Sequence, residues 1–286
     1  MYELPFFAPK DTLPSPLPPP EVIASAGVVL EKSTGRRVVQ FGDSYIIKYG
    51  IHVSLTEGKT LLFLNETQTV PVPKVFALYS RDDVKGRKVN YIIMEKIPGQ
   101  SLDACWALLE PSDKEKIARQ LRTHFNMLRN IPAPGYFGCL DSQPFEESIF
   151  WVSPKDKLDQ RWQINGPFKS EAELNTALVQ KYLYNNGSAH KATFLRRMLP
   201  SVLKDHVAVF THGDLQRKNV MIKSDNSIVL IDWEAAGWYP EYWEYASATV
   251  AAGAWKDDWH EYLSKVLNEY PNEYSWFDMF IRDLWS

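Results

Sequence analysis

The pattern of apolar residues changes character at Pro98-Gly99, and that change constrains the fold more than any other feature of the 286-residue chain. Before it lie short β-like runs, Val28-Val29-Leu30, Arg37-Val38-Val39-Gln40-Phe41 and Tyr45-Ile46-Ile47-Lys48-Tyr49, broken by Ser33-Thr34-Gly35 and Gly42-Asp43. They predict an antiparallel meander. Leu55 to Asn65 carries apolar residues at helical spacing with Glu57 near its start, a helix that ends before Val70-Pro71-Val72-Pro73. Lys74 to Tyr79 and Val89 to Glu95 return to strand character. Beyond the Pro98-Gly99 turn the chain reads as helices over Leu102 to Leu109, Ser112 to Arg129, Glu171 to Tyr184, Lys191 to Leu203, Trp243 to Trp255 and Asp257 to Glu269. Ser112 with Glu115 predicts a capping box at the second of these. Residues 132–168, rich in Pro, Gly and aromatics, predict an irregular insertion. No internal repeat is visible. The expected architecture is α+β in two lobes, a small antiparallel sheet with one helix followed by a larger, mainly helical part.

Seven of the first twenty residues are proline, which predicts an extended or irregular surface arm over residues 1–20. A 45% hydrophobic content with 23% charged residues supplies a sizeable core. The net charge of −3 argues against a nucleic-acid surface, since no basic stripe appears. Cys105 and Cys139 are too few for a disulfide framework and lack metal-ligand spacing. The amino terminus lacks the pattern of a secretory signal, and no stretch approaches the ~20 apolar residues that span a bilayer. The expectation is a cytoplasmic protein with no membrane and no nucleic-acid partner.

Candidate chemistry sits in Thr211-His212-Gly213-Asp214-Leu215-Gln216-Arg217-Lys218-Asn219 and in Ile231-Asp232-Trp233-Glu234. Val220 to Lys223 and Ile228 to Ile231 flank the polar tetrapeptide Ser224-Asp225-Asn226-Ser227, which predicts a hairpin with a four-residue loop. Pairing Lys223 with Ile228 and counting outward sets Asn219 across from Asp232, at a cross-strand distance of roughly 5 Å. A magnesium ion fits such a pair, because hard divalent cations take oxygen ligands from one or two side chains, phosphate and water. Asp214, five residues before Asn219, would then act on a hydroxyl beside the metal.

These motifs, with Lys48 inside the third strand, resemble the aminoglycoside phosphotransferase and choline kinase superfamily, the small-molecule relatives of protein kinases. Val70-Pro71-Val72-Pro73-Lys74-Val75 and Gly166-Pro167-Phe168-Lys169-Ser170-Glu171-Ala172-Glu173 resemble segments of uncharacterised fungal members. The resemblance implies a nucleotide-binding lobe over residues 21–97 and a helical lobe over 98–286 that carries catalytic loop, metal site and acceptor site. It implies that Asp214 orients the acceptor hydroxyl and takes its proton, and that Asn219 and Asp232 hold magnesium. Lys48 would grip the ATP phosphates while paired to Glu57, with Glu66 as the competing partner. Ser33, Thr34 and Gly35 stand where the phosphate-covering loop belongs, although the glycine fingerprint of protein kinases is missing. Met94, Glu95 and Ile97 match the hinge that meets adenine. His212 reads as a packed loop anchor.

Gly213 replaces the arginine of regulated protein kinases, the D-F-G triplet is Asp232-Trp233-Glu234, and no A-P-E segment follows. These departures argue against a protein serine/threonine kinase and against control by activation-loop phosphorylation. The resemblance therefore implies transfer of the γ-phosphate of ATP to a small-molecule hydroxyl, an amino sugar or amino alcohol; a catalytically silent binding protein of the same shape is the alternative. Acceptor contacts are expected from residues 141–168 and from the aromatic-acidic run Trp238 to Tyr245. Trp238 and Glu241 are candidates to hold an amine there. Aromatic core packing is the competing reading of that run. Glu234 stands where it would approach metal or substrate, or else begin a helix.

Overall fold

Six strands in the amino-terminal part form one antiparallel sheet, in which alternate residues of Arg36–Phe41 and Tyr45–Gly50 face a core while the edge strand Val28–Ser33 is exposed throughout. The structure, a computed structural model, describes residues 2–153, 155–253 and 257–284. Its contacts divide the chain into two units, Met1–Gln100 with Met221–Ile231, and Ser101–Val220 with Asp232–Ser286.

The first unit runs β1 (Phe6–Phe7), α1 (Pro20–Ala26), β2 (Val28–Ser33), β3 (Arg36–Phe41), β4 (Tyr45–Gly50), α2 (Thr56–Thr67), β5 (Val75–Asp82) and β6 (Lys88–Glu95), with sheet order β1-β5-β6-β4-β3-β2. One face packs Val39, Tyr45, Ile47, Ala77 and Ile93 into a core with Ile23 of α1. The other face carries Val38, Lys48 and Ile92, aligned across three strands, and it receives α2. The helix sits close: a β-carbon on Gly58 would lie 2.3 Å from the Leu78 side chain.

The proline-rich segment is no free arm. Phe6 and Phe7 extend the sheet beside Leu78 and Ala77 of β5, and Ser15 hydrogen-bonds the Tyr45 hydroxyl through both its backbone groups. Leu13 and Leu17 pack on the core, and Pro20 starts α1 at the position where a missing N–H costs nothing. Proline richness announces an extended path, whereas the apolar residues between the prolines decide that the path is docked.

The second unit contains α3 (Leu102–Cys105), α4 (Pro111–Arg129), α5 (Leu158–Asn165), α6 (Glu171–Tyr184), α7 (Ala189–Val202), α8 (Trp243–Ala251), α9 (Trp259–Val266) and α10 (Pro271–Leu284). Short strands β8 (Ala208–Thr211) and β11 (Gly237–Pro240) intervene, whereas β7 (Gln100–Ser101) lies at the boundary and the hairpin strands β9 (Val220–Ile222) and β10 (Ile228–Leu230) fall mostly in the first unit. The capping box expected at Ser112 is absent, because Pro111 takes the first helical position and draws Ser112 inside α4. Glu115 instead pairs with Lys265 of α9. A side-chain cap does form at α6, where Ser170 Oγ accepts the Glu173 N–H at 3.3 Å and Glu173 reaches back to accept the N–H of Lys169, the residue before the cap, at 2.8 Å.

The supposed irregular insertion contains α5, and α10 is a further helix outside the expected set. The helix from Trp243 ends at Ala251, and its expected end at Trp255 lies outside the described residues. The run from Trp238 to Tyr245 is core: Tyr239, Tyr242 and Trp243 are fully buried among Phe145, Phe150 and Phe277. Among the described residues, no helix is long and apolar enough to cross a membrane.

Candidate functional site

In the first unit, the strand register that aligns Lys48 with Val38 and Ile92 aims its side chain at α2. Glu57, in the first turn of that helix, receives it: Lys48 Nζ donates to Glu57 Oε1 at 2.7 Å, with both residues buried. Glu66 is engaged elsewhere, by the Tyr2 hydroxyl. Ser33 pairs with Arg36 across the tight Thr34-Gly35 turn, where Gly35 has φ +74°. Met94 and Glu95 end β6, and Ile97 follows two residues on. The candidate nucleotide residues thus belong to a single unit.

In the second unit, the antiparallel ribbon of β8 and β11 pairs Thr211 with Gly237 and so brings the loop after β8 against Ala235. Gly213 has φ +83°, and a β-carbon there would sit 2.6 Å from the Ala235 carbonyl oxygen. The fully buried His212 packs on Trp233, ring centroids 4.5 Å apart, and its Nδ1 accepts the Asp214 N–H at 3.2 Å. Beneath the loop, Glu244 of α8 accepts the His212 N–H at 2.7 Å and the Gly213 N–H at 3.4 Å. Burial pushes the Glu244 carboxyl pKa up, against the pull of His212 and Arg129.

The Asp214 carboxylate is held from both sides. Gln216 Nε2 donates to one oxygen at 2.5 Å and Asn219 Nδ2 to the other at 2.8 Å, while Lys218 Nζ stands 3.7 Å away. Arg217 turns from the cleft to pair with Asp257 at 2.7 Å and fixes the loop's far side.

The hairpin corrects the expected register. Lys223 N–H donates to the Ser227 carbonyl and Asn226 N–H to the Lys223 carbonyl, both at 2.9 Å, with Asn226 at φ 61°. The loop is therefore three residues, Ser224-Asp225-Asn226, and Lys223 pairs with Ser227. Outward counting then falls one residue short, so Asp232 is not the ladder partner of Asn219. Asn219 itself lies in a 3-10 turn, and Asp232 takes a left-handed backbone at φ 65°. The donor chemistry still suits a hard cation. Both N–H groups of the Asn219 amide are spent, on the Asp214 carbonyl and carboxylate, which leaves its oxygen as the group to offer a metal.

Asp214 opens on a cleft of about 630 Å³ whose wall includes Glu146, Glu147, Ser148, Trp151, Lys181, Asn185 and Glu234. A recess of about 170 Å³ shares Glu147 and Asp214 and adds apolar wall from Val250, Phe277 and Ile281. Glu147 accepts hydrogen bonds from Ser148 Oγ at 2.9 Å and from the Ile149 N–H at 3.1 Å. Burial, with Asp214 nearby, nevertheless pushes its pKa from 4.5 to about 7.

Between those two values the folded protein keeps a proton that the unfolded chain has released. Stability therefore falls as pH rises through that window, and the loss is complete above it. Glu147→Gln should match the parent in thermal unfolding at about pH 4 and exceed it at about pH 8 by about 1–3 kcal/mol, a range trimmed because the carboxyl opens on the cleft. Equal stabilities at the higher pH would place Glu147 in ordinary solvent.

Glu234 lines this cleft, but Trp238 and Glu241 do not. Trp238 is buried against Phe210 in the ribbon, and the Glu241 carboxylate takes a hydrogen bond from Tyr270. Sequence reasoning missed Glu147, Gln216 and Lys181 as individual residues. Lys181 did leave a signal: it follows Leu174, Ala177 and Leu178 on the buried stripe of α6, where an apolar residue is due.

The family model described as the phosphotransferase enzyme family matches residues 54–279. A subtelomeric hrmA-associated cluster protein of Aspergillus fumigatus is 28% identical over 108 residues, 38% of this chain and 21% of that protein. The chain thus aligns with about a fifth of the length of that curated relative.

Among solved structures, the apo form of a thermostable mutant of aminoglycoside phosphotransferase APH(4)-Ia has a TM-score of 0.61 at 14% identity, over 91% of this chain and 85% of that one. The GDP and kanamycin complex of APH(2")-IIIa has a TM-score of 0.56 at 16% identity, over 92% and 88%. At such identities the likeness establishes the protein-kinase-like fold. With the family match covering most of its length, the chain belongs to the phosphotransferase enzyme family.

Proposed function

We propose that the protein transfers the γ-phosphate of ATP to a hydroxyl of a small molecule, with magnesium as the metal. The observation that carries this reading is the Asp214 carboxylate, clamped by two amides at the wall of a cleft large enough for a small acceptor. Phosphoryl transfer asks a protein chiefly for positioning and charge neutralisation, and Asp214 supplies the group that orients the hydroxyl and takes its proton. As the acceptor oxygen bonds to phosphorus, the bond from the γ-phosphorus to its bridging oxygen breaks and ADP leaves. Lys48, kept in place by Glu57, holds the nucleotide phosphates; Thr34, Gly35 and Ser33 cover them, and Met94, Glu95 and Ile97 meet the base. Asn219 and Asp232 would hold the magnesium, which would neutralise phosphate charge when bound. Residues 21–97 serve as the nucleotide lobe and 98–286 as the acceptor lobe, in a cytoplasmic protein.

The acidic wall of Glu146, Glu147 and Glu234 favours an acceptor bearing an amine, in the class of amino sugars and amino alcohols. The test is ADP release with magnesium and ATP against amino sugars, amino alcohols, nucleosides and neutral sugars. Acceptor-dependent release, strongest with the amines, is expected; silence across the panel would favour a binding protein of kinase shape. In parallel, Asp232→Ala should remove the magnesium-dependent thermal shift caused by ATP, and an unchanged shift would mean that the metal is held elsewhere.

A further inference from the structure

Lys181 is 3% exposed, yet its side chain belongs to the wall of the Asp214 cleft. Its ammonium donates to the Trp151 carbonyl and lies over the rings of Tyr184 and Trp151, at 4.9 and 5.8 Å. Among the described residues it has no carboxylate within ion-pair distance; Glu147 reaches it only through its field. An ammonium has three donors, and one acceptor leaves two unmet. Burying such a charge without a partner is costly, and aromatic faces offset only part of the cost. Desolvation accordingly lowers the Lys181 pKa, against the pull of Glu147.

The same cleft carries Glu146, Glu147 and Glu234, so its charges are mixed: acids on several segments and one buried cation on α6. A purely cationic acceptor suits the acidic wall and leaves Lys181 as it is. A doubly charged anion satisfies Lys181 and is repelled by the carboxylates. A singly charged carboxylate on a molecule that also brings an amine satisfies both.

We infer that Lys181 is a specificity-determining residue that binds a carboxylate of the acceptor, and that the acceptor class is a zwitterionic alcohol with hydroxyl, amine and carboxylate together. This rests on the reading of the cleft as the acceptor site. The carboxylate takes the two unmet donors of Lys181, the amine faces the glutamates, and the hydroxyl turns to Asp214.

Matched probes test it: ethanolamine against serine, and glucosamine against glucosaminic acid, read by thermal shift and by acceptor-stimulated ADP release. The carboxylated member of a pair should shift the unfolding midpoint and show a KM lower by about tenfold or more, the size of a charge-assisted hydrogen bond. Lys181→Met should abolish that preference by raising KM with little change in kcat, and Lys181→Arg should keep most of it. Equal binding of both members, or a preference that survives Lys181→Met, overturns the inference. So does the absence of any thermal shift by the carboxylated probes. Turnover of amine-only alcohols indifferent to Lys181 would sink this inference and leave the phosphotransferase reading standing. A thermal shift that depends on Lys181, with no ADP released by any probe, would uphold the site and sink the reaction.

Discussion

Asp214→Asn should fold, bind nucleotide like the parent, and lose acceptor-stimulated ADP release by about two to four orders of magnitude, the contribution of a positioned general base. The substitution keeps the shape of the side chain and removes the proton acceptor. It also turns one carboxylate oxygen into an NH₂ group, so that one of the two amides, which now donate to separate oxygens, loses its acceptor. Asn219 is tied a second time, to the Asp214 carbonyl, whereas Gln216 is free to rotate its amide and present oxygen. The stability cost is therefore about one hydrogen bond, about 1 kcal/mol. Release that persists in a folded Asp214→Asn protein would remove the residue from the chemistry, and a collapse of the unfolding midpoint would assign it a structural role.

The second large effect concerns the buried pair in the sheet. Glu57→Ala takes from the buried Lys48 ammonium the carboxylate that holds it under α2, and removing one partner of a buried pair costs about 3–5 kcal/mol. The double replacement Lys48→Met with Glu57→Leu should recover most of that stability, because two apolar chains of similar volume fill the same space without desolvating charge. It should not recover nucleotide affinity. Denaturant unfolding and ATP-induced thermal shifts measured on the same three proteins separate the two quantities. A Glu57→Ala protein as stable as the parent would mean that water reaches Lys48.

The Lys48–Glu57 pair was legible through the resemblance, which implies a strand lysine paired to a glutamate of the following helix, while local rules gave only a strand lysine and a first-turn acid. Which glutamate faced the lysine was settled only by sheet register. The hairpin after Asn219 was legible in outline and wrong by one residue. Ser224-Asp225-Asn226-Ser227 offers several residues fit for a turn, and composition does not announce that Asn226 takes the left-handed position and returns Ser227 to the ladder. Helix α5 was hidden by the aromatic and proline-rich residues around it. The cleft was the least legible part. Glu147 and Lys181 meet Asp214 only after the segment before α5 folds back over α6, and no periodicity encodes a contact of that range. The aromatic run from Trp238 misled for the opposite reason, since the same residue types that recognise amines also fill cores.

Gly213 has an evolutionary consequence. A regulated protein kinase keeps an arginine before its catalytic aspartate, poised to receive a phosphate elsewhere on the chain. Here the backbone turns left-handed at that position, and the Ala235 carbonyl occupies the space where any side chain would begin. No single substitution can install the arginine without first rebuilding the ribbon of β8 and β11. A loop built this way offers no arginine beside Asp214 through which a phosphate elsewhere on the chain could act.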